Sequence, residues 1–78
     1  MENQLTSLIA AYCPGCDAGA IAARLIDEYN PALTFRKANL LVKHTMEAML
    51  PEDYMWDHTW NATVEAIVQA IDPRFGVY

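Results

Sequence analysis

The chain has 78 residues, ten acids against five Lys and Arg, and a formal net charge of −5 at pH 7. That length makes a single domain, residues 1–78, and the acid excess argues against a general nucleic-acid binder, whose phosphate contacts need a basic surface. No apolar run approaches the roughly 18–20 residues of a membrane span, and Met1-Glu2-Asn3-Gln4 lacks the positive start of a secretory signal, so a cytoplasmic location with no membrane contact is expected.

Leu5, Leu8, Ile9 and Tyr12 recur at three- and four-residue steps. They predict a helix over residues 2–12 with all four on its inner face. Pro14 and Gly15 end it and turn the chain. Asp17 is an acceptable N-cap for a second helix, whose apolar stripe is Ala18, Ile21, Ala22, Leu25, Ile26 and Tyr29. Asn30-Pro31 closes that helix, because the residue before proline is pushed out of the helical region.

Thr34 caps a third helix that runs to about residue 50, with Phe35, Ala38, Leu41, Val42, Thr45, Met46 and Met49 as a broad apolar face. Pro51-Glu52-Asp53 then reads as a helix start, with proline at the first position and acids in the first turn. Trp56, Trp60, Val64, Ile67 and Ile71 form one continuous stripe. A short helix, a kink between residues 57 and 61 with Asn61 as the new N-cap, and a final helix to residue 71 are expected. Asp72-Pro73 ends it, and residues 74–78 form an apolar, aromatic tail without helical character. No segment alternates as a strand would. The expected fold is all-α, a compact bundle of four to five short helices whose short connections make successive helices neighbours.

The charges are sorted along the chain. Residues 35–46 carry three bases, Arg36, Lys37 and Lys43, and no acid. Residues 47–72 carry six acids, Glu47, Glu52, Asp53, Asp57, Glu65 and Asp72, with both tryptophans and no Lys or Arg. Trp and Tyr are favoured at interface centres because they bury large area with few rotatable bonds. Glu52, Asp53, Tyr54, Trp56, Asp57 and Trp60 are therefore the candidate partner-binding set. The apolar fraction of 54% is high for a soluble domain. It favours a surface covered by a partner or by a second copy, so a homodimer is expected.

Chemical motifs are few. Tyr12-Cys13-Pro14-Gly15-Cys16 resembles the Tyr-Cys-Pro-x-Cys site of glutaredoxin-like oxidoreductases. The resemblance covers these five residues and implies Cys13 as nucleophile and Cys16 as resolving thiol. Such a site follows a buried strand, whereas residues 5–12 have helical spacing, so the two Cys are expected to fill small spaces as reduced thiols. Cys13 and Cys16 with His44 and His58 form a conceivable zinc set, but the His lie 13 residues apart on different elements, unlike the close pairs of structural zinc sites. Asp57-His58 and Glu52-Asp53 are adjacent on a helix and point in different directions. No metal, cofactor or catalytic residue is assigned, and no enzyme is expected.

Two functions follow. The first is a small acidic helical protein-binding module, a stoichiometric inhibitor or regulator that docks on a partner with a basic nucleic-acid-binding surface. In size and charge alone the chain resembles phage-encoded inhibitors of host machinery such as anti-CRISPR proteins. The alternative is a dimeric helix-turn-helix DNA-binding regulator with Arg36 and Lys37 at the start of the recognition helix and Lys43 further along it. Direct DNA binding is the weaker expectation, since the turn contains Pro and lacks Gly. Convergence of Arg24, Arg36, Lys37 and Lys43 on one exposed patch favours the regulator; pairing of these bases with acids counts against it.

Overall fold

The helix boundaries follow the residues that cap them. A computed structural model describes residues 2–50 and 60–76, and contains α1 (Glu2–Tyr12), α2 (Ala18–Glu28), α3 (Phe35–Met49), α4 (Trp60–Ile71) and a 3-10 turn at Pro73–Gly76. Among the described residues there is no strand, and the fold is an all-α bundle. None of these helices is long and apolar enough to cross a membrane.

Asp17 caps α2, its side chain accepting from the amide of Ala20 at 3.1 Å. Thr34 caps α3 in the same way, accepting from Lys37 N–H at 3.3 Å. Each side chain satisfies an amide that has no partner within its own helix. Between these helices Asn30 makes two local bonds. Its side-chain oxygen accepts from Ala32 N–H, and its carbonyl accepts from Leu33 N–H, both at 2.9 Å. Pro31 occupies the second position of that turn, where its fixed φ is already suitable. Leu50, in extended conformation, ends α3 and gives its N–H to Met46 O, as expected of a residue that precedes proline.

The four helices form a ring. Each packs on the next, and α4 also packs on α1. The core draws Leu5, Ile9 and Cys13 from the first helix and its end, and Ala18, Ile21, Ala22 and Leu25 from α2. It is completed by Ala38, Val42 and Met46 from α3 and by Val64, Ile67, Val68 and Ile71 from α4. Most of these positions recur at i+3 or i+4, which explains why the sequence stripes locate them.

Three local expectations need correction. Tyr12 is 45% exposed. The buried seam of α1 steps by four from Leu5 to Ile9 to Cys13, leaving Leu8 partly covered and Tyr12 outside. Asn61 is not a cap: α4 begins at Trp60, and Asn61 is an exposed residue of its first turn. The tail is not irregular from residue 74, because Pro73–Gly76 forms a 3-10 turn. The short helix expected from Pro51, with Trp56, lies outside the described residues.

The turn binds the ring together at one corner. Tyr29 O–H donates to Asp72 Oδ2. Asp72 also pairs with Arg74, Nε to Oδ2 at 2.8 Å, and accepts from Arg74 N–H at 3.3 Å. The Arg74 guanidinium donates to Leu33 O and lies 4.4 Å from the centre of the Phe75 ring. Phe75 meets Phe35 with ring centres 5.5 Å apart at 57°, a favourable tilted geometry.

Ile67 is fully buried, whereas Leu40 is 44% exposed. Ile67→Ala should therefore cost about 2–5 kcal/mol, and Leu40→Ala should stay within about 0.5 kcal/mol of wild type. Urea denaturation of both variants checks the assignment of inner and outer faces.

Candidate functional site

The Cys13-Pro14-Gly15-Cys16 turn joins α1 to α2. Cys13 continues α1 by one hydrogen bond, its N–H reaching Ile9 O at 2.8 Å, and its side chain is buried. Cys16 is half-buried, and its S–H donates to Cys13 O at 2.9 Å. Burial above all, then the hydrogen bond and charge of the neighbouring Cys13, push the Cys16 thiol up to about 12. A redox nucleophile needs the opposite, an accessible thiolate at the start of a helix. Here the first cysteine ends a helix and is covered. Both thiols are free and serve as small packing groups and a local hydrogen bond.

His44 lies exposed on α3 while Cys13 is in the core, so these members of the zinc set do not share a site. His58 lies outside the described residues. Among the described residues no group of three His, Cys, Asp or Glu is placed to hold a metal ion.

The bases divide. Arg24 pairs with Glu28 one turn on, at 3.4 Å, an exposed i,i+4 contact of small energetic weight. Arg74 is tied into the corner around Asp72. The other three, Arg36, Lys37 and Lys43, lie on α3, and no acid among the described residues pairs with them. Of the four bases whose convergence would favour the regulator, three share α3, and Arg24 on α2 is paired with an acid.

On α3 the core side is occupied by Ala38, Val42, Thr45 and Met46. The outer side carries Arg36, Lys37, Leu40, His44 and Glu47 exposed, with Lys43 half-buried at its edge. Leu40 and Tyr12 are the two large apolar side chains exposed most among the described residues. Arg36, Leu40, Lys43 and Glu47 step by four, three and four, so they form one line along the helix. Beside Lys43, a cleft of about 260 Å³ opens between α3 and α4, lined by Asn39, Lys43, Asn61, Val64 and Glu65.

Of the acidic, aromatic candidates, Trp60 is half-buried against the core; Glu52, Asp53, Tyr54, Trp56 and Asp57 lie outside the described residues. The sequence analysis did not place Leu40 and Glu47 on the same exposed line of α3 as the bases. Their four-three-four spacing from Arg36 was the signal that could have found them. No protein-family model matches the chain, and neither a curated protein nor a solved structure matches it.

A thiol moved from 9.0 to about 12 holds roughly a thousandfold less thiolate at neutral pH. In the folded protein at pH 7–8, both cysteines should resist a disulfide reagent such as DTNB, and both should react at once in urea. Reaction of the native protein should quicken as pH rises toward 12, because more Cys16 is ionised. Rapid labelling of one thiol in the native protein at pH 7 contradicts this arrangement.

Proposed function

We propose that the chain is a non-enzymatic protein-binding module, a stoichiometric inhibitor or regulator that occupies an acidic surface of its partner through the outer face of α3. The observation that carries the reading is the line Arg36, Leu40, Lys43, flanked by Lys37 and His44. It combines positive charge that no acid among the described residues pairs with and an exposed apolar centre. Elsewhere among the described residues, several conspicuous polar groups are committed to structure. Cys16 bonds Cys13 O, Tyr29 bonds Asp72, and Arg74 bonds Leu33 O.

The chemistry of the face favours protein over nucleic acid. Three bases can neutralise only about three phosphates, a weak electrostatic footprint, and the whole molecule carries −5. Leu40 interrupts the bases on the side that would lie in a groove, and Glu47 ends the line with a charge that phosphate repels. An acidic protein surface with an apolar side chain among its carboxylates fits all of these features.

The test uses tagged full-length chain to capture partners from its source cell after nuclease treatment. Wild type is compared with the triple variant Arg36→Glu, Lys37→Glu, Lys43→Glu, and with Asp27→Lys, a reversal of an exposed residue on α2. The expected result is one protein, retained by wild type and by Asp27→Lys, and bound about a hundredfold more weakly by the triple variant. Thermal melts should show all three folded. Capture that survives the triple reversal contradicts the reading, and capture abolished by nuclease supports the DNA-binding alternative instead.

A further inference from the structure

The outer line of α3 has an order that makes it complementary to itself. It reads base, apolar, base, acid, as Arg36, Leu40, Lys43 and Glu47, on exposed or half-buried positions of one helix. The four-three-four spacing is that of a seam along which two helices pack. We propose that two copies of the chain pair through this seam, α3 antiparallel to α3 about a two-fold axis, and that the pair covers the docking face until a partner displaces one copy.

One register satisfies every member of the line. With the axis level with the peptide between Leu41 and Val42, Arg36 faces Glu47 of the second copy and Leu40 faces its Lys43. The two-fold repeats both contacts. Each Lys43 lays its four-carbon stem over the opposing Leu40 and keeps its ammonium in water. The flanking residues fall in register too, since Asn39 faces His44 of the second copy. Antiparallel packing also sets the positive N-terminal end of each α3 beside the negative C-terminal end of the other. A parallel arrangement would place Arg36 against Arg36 and Glu47 against Glu47, so charge alone selects the antiparallel one.

The seam holds one apolar residue per copy, and a single helix pair falls at or below the low end of interface sizes, about 1,200 Å². Such a pairing is weak and reversible, as a self-covering docking face must be. The inference goes beyond the docking proposal, and its test needs no partner.

The full-length chain is measured by sedimentation equilibrium from about 10 μM to about 1 mM, a range that brackets weak association. The expected result for wild type is a mass that rises from monomer toward dimer, more steeply at low salt than at high salt. Arg36→Glu and Glu47→Arg should each weaken association tenfold or more. The double variant carrying both changes restores the pairing with its charges exchanged, and should return to near wild-type association. Each single change suits its helix end, with an acid in the first turn or a base in the last. Loss of dimer therefore does not arise from unfolding, and a circular dichroism melt checks this. A wild-type chain that stays monomeric throughout overturns the inference. So does a dimer indifferent to either single reversal, or a double variant as weak as the single ones. If the dimer stands while partner capture ignores α3, the docking proposal alone fails.

Discussion

The ring of helices is tied across at Asp72. This carboxylate stands at the end of α4 and receives the Tyr29 hydroxyl from the end of α2, as well as the amide and guanidinium of Arg74. Arg74 extends the connection to the carbonyl of Leu33, immediately before the cap of α3, and Phe75 extends it to Phe35 in the first turn of α3. The last helix is thereby fixed to the corner between the second and third. The direction of α3 is set at that corner, and its outer face follows from it. In a chain this short the core is small and the margin of stability thin, so one half-buried acceptor with several donors has a large share in holding the elements in place.

The same logic explains why the polar groups that attract attention in the sequence have structural duties. Cysteines three residues apart around Pro-Gly can serve a redox site only if a helix begins at the first of them. Here a helix ends there, the second thiol bonds back to the first residue's carbonyl, and the spacing serves the turn. Arg74, on the residues expected to be an irregular tail, is the most engaged base of the chain. Among the described residues, the outer side of α3 keeps Arg36, Lys37, Leu40, His44 and Glu47 exposed.

Much of this was legible in the sequence because helices in a ring bury stripes, and stripes have a period. Asp17 and Thr34 were readable as caps, and Ile21, Leu25, Val42, Met46, Ile67 and Ile71 as core, by spacing alone. Periodicity identifies a face and does not say how far along it the neighbouring helix extends. Tyr12 was therefore placed inside although it is 45% exposed, and Leu40, beside Leu41 and Val42, was assigned to neither face although it is 44% exposed. The corner at Asp72 left no periodic trace. It joins residues 43 apart in sequence, and a single Tyr, Asp and Arg have no pattern that announces their meeting. The acidic, aromatic candidates from Glu52 to Asp57 fall outside the described residues, and the docking proposal is argued from α3 alone.

A double-mutant cycle between Tyr29→Phe and Asp72→Asn, read by urea denaturation, tests most directly whether the tie at Asp72 holds the bundle together. A hydrogen bond to a charged acceptor contributes about 1.5–3 kcal/mol. The account predicts a coupling energy in that range, with the double variant little less stable than the weaker single one. Additive losses, with coupling below about 0.5 kcal/mol, would contradict it.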